Sequence, residues 1–350
     1  MKVLLVHNSY TQPGGEDTVV AREARMLRDT GHTVIEYSRS NKELEGLWKR
    51  PLLPIGVIWA SDALRDLRKL VIRERPDVAH FHNTFAVISP AAYFAFGEHE
   101  IPVIQSLHNP RLICPSANFY RGGKVCTDCL GRTMPWPGIV HGCYRNSHVG
   151  TAVVGTMIAT HGWLGTWANR VDMYVVFTEF YRDLFVRHGL PSDKIVIKPH
   201  FVSPDPGMRC ACDGDYALFI GRLDAEKGIR TVMRAWKQLG GVPLKIRGGG
   251  RLLQETLRVC RDSGLGKVEF VDWLPENEML AVVKKARFLV WPSEGLYETF
   301  GLVAAEAFAC GVPVIASGIG AMAEMVKDGR TGLHFRPGDA PSCSSAPMEV

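Results

Sequence analysis

Apolar positions along the chain fall into short runs separated by longer stretches of helical periodicity. Val3–Val6 is an apolar run of strand length. A polar loop, Asn8–Glu16, follows; then Val19, Val20, Ala24 and Leu27 recur at helical spacing until Gly31, and Thr33–Tyr37 is the next strand. Between Trp59 and Arg73, Leu64, Leu67, Leu70 and Val71 fall on one face, with Arg65, Arg68, Lys69, Arg73 and Arg75 around it. That pattern predicts a basic amphipathic helix, either a solvated surface element or a membrane-surface one. Asp77–Phe81, Ile101–Leu107, Met173–Phe177 and Lys194–Ile197 are further strands. Val149–Trp167 predicts a helix that is apolar on most sides, and Thr178 an N-cap for a helix reaching Arg187. After the proline-rich stretch Pro199–Gly207 the alternation starts again. Its strands are Tyr216–Ile220, Leu244–Arg247, Val268–Val271, Phe288–Trp291 and Val312–Ala316. The intervening helices run from Ile229 to Leu239, from about Leu252, and from about Phe300. Strands alternating with helices predict an α/β protein with doubly wound parallel sheets. Two such domains are expected, at 1–198 and 214–339, joined by a linker at 199–213. Residues 340–350 lack helical periodicity and are expected to be irregular.

Composition narrows the class. At 350 residues the chain has room for two domains, and 46% hydrophobic with 22% charged residues is the balance of a folded core. A net charge of +5 suits phosphorylated ligands or an anionic membrane surface and is too weak to argue for nucleic acid. No apolar run reaches the ~20 residues of a membrane span. The first apolar run stops at His7 with no small-residue cleavage site after it, so it reads as a buried strand. Nine cysteines, an odd number, point to a reducing compartment, and a cytoplasmic location is expected.

Candidate chemistry gathers where strands end, because open α/β sheets bind ligands at the carboxyl ends of their strands. Glu298 lies on the loop after one predicted strand, and Glu306 faces inward from the second turn of the helix that follows. Phe300-Gly301 opens that helix: the glycine admits close backbone approach, and free amides there suit a phosphate. The second carboxylate is placed to accept hydrogen bonds from a vicinal diol such as a ribose. Arg222 and Lys227 flank another strand-to-helix loop and together suit a diphosphate. Gly248-Gly249-Gly250 ends a neighbouring strand. In the N-terminal half, Gly14-Gly15 sits between a strand and a helix, as an approach site for phosphate or sugar or as a plain turn. No G-x-G-x-x-G is present, which counts against a dinucleotide site. His82 and His108 end two strands, in His80-Phe-His82-Asn83 and His108-Asn109-Pro110. From Pro110 to Arg145 the pattern breaks down into a Gly- and Pro-rich segment holding Cys114, Cys126, Cys129 and Cys143. The Cys126-x2-Cys129 spacing is that of a structural zinc knuckle, which Cys114 and Cys143 would complete. A loop packed around small thiols and a redox pair are the alternatives.

The motifs Gly221-Arg222…Glu226-Lys227-Gly228, Glu298-Thr-Phe-Gly-Leu…Glu306-Ala and Gly311-Val-Pro-Val-Ile-Ala-Ser together resemble the retaining family 4 glycosyltransferases. Gly14-Gly15-Glu16, Leu107-His108 and Gly332-Leu-His-Phe…Pro337-Gly-Asp339 agree with that resemblance, which runs from Met1 to about Asp339. It implies the GT-B fold, two Rossmann-like doubly wound domains facing across a cleft, with the acceptor side at 1–198, a cysteine-bearing insertion at 110–146 and the nucleotide-sugar side at 214–339. It also implies roles. Arg222 and Lys227 hold the donor diphosphate, Glu306 the ribose hydroxyls, and Glu298 with the Phe300-Gly301 backbone the transferred sugar and distal phosphate. His108 serves the sugar site; Gly14, Gly15 and Gly248 line the donor. The expected donor is a UDP- or GDP-type sugar. The expected acceptor is a glycan or lipid-linked hydroxyl of a bacterial surface polysaccharide, with peripheral contact at the inner face of an anionic membrane and no nucleic acid.

Fixed cations and a helix N-terminus stabilise a departing diphosphate without a metal, so no cofactor is expected for catalysis beyond the candidate structural zinc. The resemblance implies same-face attack, with Glu298 as a binding and stabilising residue rather than a nucleophile. Arg247 and Gly249 depart from the family pattern, at the wall of the nucleotide pocket. The irregular end of the chain, where the family continues with helices, suggests truncation. An inactive sugar-nucleotide-binding remnant and a nucleotide-sugar epimerase of related fold are the competing expectations.

Overall fold

The structure is a computed structural model and describes residues 1–11, 14–44, 53–209 and 214–346. The end of the expected linker, 210–213, and of the expected tail, 347–350, lie outside the described residues. The chain divides into two compact units: Met1–Ala117 with Thr127–Pro199, and Asn118–Cys126 with His200–Val350.

In the first unit, strands β1 (Lys2–Ser9), β2 (Thr33–Ser40), β3 (Val78–Asn83) and β4 (Val103–Ser106) are joined later in the chain by β7 (Met173–Val176) and β8 (Ile195–Ile197). A two-residue ribbon, β5 (Tyr120–Arg121) with β6 (Lys124–Val125), intervenes and belongs to the second unit. The sheet is parallel with order β2-β1-β3-β4-β7-β8. Helices cover both faces of such a sheet, so its central strands are apolar throughout. Val3, Leu4, Leu5 and Val6 are accordingly all buried. The amphipathic helix is Ser61–Glu74; it buries Ala63, Leu64, Leu67 and Val71 and leaves Arg65, Arg68, Lys69 and Arg73 exposed. The helix expected over Val149–Trp167 is instead His148–Trp163, capped by Ser147, with a short second helix at Thr166–Asn169. It is interior on one side only: Val154, Met157 and Ile158 are buried, whereas Val149 and Trp163 are exposed.

The second unit has β9 (Tyr216–Ile220), β10 (Leu244–Arg247), β11 (Val268–Val271), β12 (Ala286–Trp291), β13 (Val314–Ser317) and β14 (Gly332–Phe335), parallel in the order β11-β10-β9-β12-β13-β14. Leu218 and Leu289 pair at its centre and are fully buried. The end of the chain corrects the expectation of an irregular tail. Ala340–Ser345 is a helix whose Asp339 side chain accepts a hydrogen bond from the Ser342 amide at 3.3 Å. Ala340, Cys343 and Ala346 are buried in the same core as Val232 and Ala235 of the helix Ile229–Leu239. Small residues at close helix packing carry little periodicity of hydrophobic bulk, and the pattern therefore hid this helix.

Segment 110–146 is likewise not a uniform insertion. It contains the ribbon and a short helix, Trp136–Val140, and Asn118–Cys126 groups with the second unit rather than the first.

Candidate functional site

In the second unit β9 has β10 on one side and β12 on the other, so the chain reverses its winding between β9 and β12. The crevice beyond the carboxyl ends of those two strands is where such sheets place a ligand. The loop after β9 carries Arg222 and Lys227, and the loop after β12 carries Glu298.

These loops meet. Lys227 Nζ donates to Glu298 Oε1 at 2.7 Å and lies 4.3 Å from the centre of the Tyr297 ring. Ser293 Oγ donates to the same carboxylate oxygen at 2.8 Å. Burial opposes ionisation of Glu298, but the charge of Lys227 and the hydrogen bonds from Lys227 and Ser293 outweigh it, and the carboxyl is held below its ordinary value.

Arg222 projects outward, with its side chain 63% exposed. Its guanidinium faces two buried carboxylates, Nη1 at 3.4 Å from Asp224 Oδ2 and Nη2 at 3.8 Å from Glu226 Oε1. Arg251 shares both, with Nε 3.1 Å from Asp224 and Nη2 3.8 Å from Glu226. A largely exposed guanidinium on a strand-end loop, held by long contacts of 3.4 and 3.8 Å, leaves N–H donors accessible to an anion.

The glycine loop after β10 is tied to the loop after β9. Gly248 has φ +152°, and a Cβ there would stand 1.8 Å from the Gly221 carbonyl oxygen. Gly301 (φ +101°) is the N-cap of the helix Leu302–Ala309, and a Cβ on it would run into the Trp291 ring. Phe300 is buried, edge-on to His200 with ring centroids 5.2 Å apart. Glu306 is partly buried on the second turn of that helix.

A second network sits behind the β12 loop. Glu294 takes hydrogen bonds from Thr231 Oγ1 at 2.7 Å and Tyr120 Oη at 3.0 Å, and its amide donates to the Glu226 carbonyl at 2.8 Å. Sequence reasoning passed over Asp224, Ser293, Glu294 and Tyr120. Their position next to the recognised residues was a signal for the first three; nothing local marked Tyr120.

The first unit assembles its own cluster. His108 Nε2 and His82 Nδ1 share a hydrogen bond at 2.9 Å, their rings stacked 5.2 Å apart. Burial holds His82 well below the ordinary histidine value, and the neighbouring His80 adds to that. Gly14 caps the helix Gly15–Asp29, its amide donating to Asp17 Oδ2 at 2.7 Å. Beside it Tyr10 Oη donates to Glu16 Oε2 at 2.8 Å, and burial pushes the Glu16 carboxyl up to about 8.

The four cysteines considered for zinc are not gathered into a ligand group. Cys129 Sγ lies 3.9 Å from the Pro135 carbonyl, and Cys114 Sγ 3.2 Å from the Ser116 hydroxyl. Among the described residues, the set of three or more metal-competent side chains that does converge is Glu23, His80 and His82.

Comparison with known proteins follows the same two units. The model of glycosyltransferase family 4 matches residues 13–206, more than half of the chain, and that of glycosyl transferases group 1 matches residues 214–347. The chain belongs to glycosyltransferase family 4. This family 4 chain is 31% identical over 200 residues to the O-antigen chain mannosyltransferase B of Escherichia coli, covering 51% of each. It is 36% identical over 138 residues to a glycogen synthase of Mycobacterium tuberculosis, covering 38% of this chain and 33% of that one. The matched stretches thus span between a third and a half of these relatives' lengths. Among solved structures, Anabaena HepE in complex with UDP and glucose superposes with a TM-score of 0.69 at 16% identity, covering 99% of this chain and 88% of that one. The fold of the family 4 chain is GT-B: two α/β units, each built on a six-stranded parallel sheet.

Proposed function

We propose that the chain is a retaining glycosyltransferase that moves a sugar from a nucleotide-diphosphate donor to an acceptor hydroxyl in surface polysaccharide or glycoconjugate synthesis. The observation that carries this reading is the Lys227–Glu298 pair, at 2.7 Å beyond the winding reversal of the second sheet, with the largely exposed side chain of Arg222 on the same strand-end loop as Lys227.

In this reading Arg222 and Lys227 hold the diphosphate and neutralise the charge that develops as it departs. The amides at the start of the helix Leu302–Ala309 add to that stabilisation, because Gly301 lets the phosphate approach them. Glu306 accepts the ribose hydroxyls, and Gly248 keeps the pocket wall free of side-chain bulk. Glu298, held ionised by Lys227, binds a sugar hydroxyl and stabilises positive charge at the anomeric carbon; a carboxylate already committed to a lysine is a poor nucleophile. The donor phosphate then takes the acceptor proton as the new bond forms on the same face. His108, Gly14 and Gly15 are assigned to the sugar and acceptor side. The exposed arginines and lysine of Ser61–Glu74, with Ile72 62% exposed beside them, suit contact with an anionic membrane carrying the acceptor. Among the described residues no helix is long and apolar enough to cross a membrane.

Support comes from the UDP and glucose bound by HepE and from the sugar-transferring names of the relatives. The test is calorimetry with UDP and GDP, followed by a donor screen for hydrolysis and transfer. Nucleotide binding with sugar release from one donor is expected. No binding of either nucleotide would overturn the reading, and interconversion of the donor's sugar without an acceptor would replace it by epimerisation.

A further inference from the structure

Glu23, His80 and His82 are each less than 10% exposed and bring one ligand atom apiece within 4.8 Å of one another. The two histidines are alternate residues of β3, so both rings leave the same face of the sheet. The helix Gly15–Asp29 lays Glu23 over that face. Nδ1 of His80 lies 3.4 Å from Glu23 Oε1, and Nε2 of His82 lies 3.9 Å from Oε2.

The far ring nitrogens are already engaged. His80 Nε2 is 2.8 Å from Ser106 Oγ and His82 Nδ1 is 2.9 Å from His108 Nε2. With the protons on those far nitrogens, the near ones turn lone pairs toward the carboxylate. Acceptors then face acceptors, and the group calls for positive charge. Lys198 Nζ supplies some, 3.0 Å from Glu23 Oε1. It does not serve His82, whose Nε2 is buried without a hydrogen-bond partner, on a side chain that is 0% exposed. An orphan ring nitrogen directed at a buried carboxylate is the second, independent sign of a missing cation.

We propose that Glu23, His80 and His82 bind a divalent transition metal of the zinc class. Two imidazoles and one carboxylate suit zinc, cobalt or nickel, with water completing the shell. Ser106 and His108 are the outer-shell partners that fix the two rings. Modest side-chain rotation closes the triangle to bonding distance, and Lys198, 46% exposed, yields to solvent. The site lies wholly in the first unit and adjoins His108, the residue assigned above to the sugar side. Its consequence is mechanical: a metal there ties the first helix to β3 and sets the ring of His82, hence that of His108.

The experiment is a cobalt(II) titration of untagged, chelator-stripped full chain, followed by zinc competition, elemental analysis and a melting curve. Expected are about one equivalent of cobalt with a visible ligand-field band and no thiolate charge-transfer band, displacement by zinc, and a higher melting temperature with zinc. His82→Ala and the near-isosteric Glu23→Gln should each weaken binding by more than about tenfold, the loss that outer-shell changes alone can cause. Absence of cobalt binding by the wild type overturns the proposal. So does a thiolate band, or affinity unchanged in Glu23→Gln; that variant decides the matter if His82→Ala fails to fold.

Discussion

Lys227 and Glu298, 71 positions apart, are joined by a 2.7 Å hydrogen bond with most of both side chains withdrawn from water. Removing one member of such a pair leaves the other charge buried alone. Lys227→Met is therefore expected to cost about 3 kcal/mol of stability, near the lower end for broken buried pairs. Urea denaturation of the wild type and the variant measures it.

The same pair sets a pH dependence. Glu298 holds its proton less tightly folded than unfolded, so its contribution to stability is complete above the ordinary glutamate value, about 4.3. It is lost as pH falls from there through the lowered folded value. The stability difference between wild type and Glu298→Gln should therefore shrink on acidification below about pH 4.3 and stay level above about pH 6. Denaturant midpoints across that range supply the check.

Arg222 and Glu306 probe the donor reading. Arg222→Ala and Glu306→Ala should each weaken UDP or GDP binding by roughly 1.5–3 kcal/mol, the scale of a charge-assisted hydrogen bond. Because Arg251 still faces Asp224 and Glu226 when Arg222 is removed, the replacement should barely move the melting temperature. Calorimetry and thermal unfolding on the same samples separate the two effects.

Gly248→Ala tests how the strand-end loops are locked together. The substitution forces either a strained backbone or retreat from the Gly221 carbonyl, so a loss of about 1–3 kcal/mol is expected. Nucleotide affinity should fall with it, since the displaced loop carries Arg222.

Cys343 reports on the last helix. Burial pushes its thiol up to about 12, so it should resist alkylation at pH 8 in the folded chain and react once the chain is unfolded. Cys126, less deeply buried, serves as the reactive reference. Mass spectrometry of the modified peptides reads both.

The sheets were legible because their central strands are buried on both faces and so read as unbroken apolar runs, as at Val3–Val6 and Phe288–Trp291. The place of Arg222, Lys227 and Glu298 on strand-end loops was legible because each follows an apolar run of strand length. What stayed hidden depends on tertiary partners. Ala340–Ser345 is made helical by a cap and by small residues fitting a neighbouring helix. Leu164-Gly165 interrupts a run whose composition alone would continue it. Glu23 looks like any polar position of an amphipathic helix until the sheet places two histidines beneath it.

Asn118–Cys126 belongs with the second unit although the residues on both sides of it belong to the first. The halves of this molecule are therefore not separable by one cut in the gene. A fragment beginning at His200 would lack Tyr120, and Glu294 would lose the phenol that steadies it beside the β12 loop. A chimaera that takes its second unit from a relative would here have to carry the nine residues Asn118–Cys126 with it.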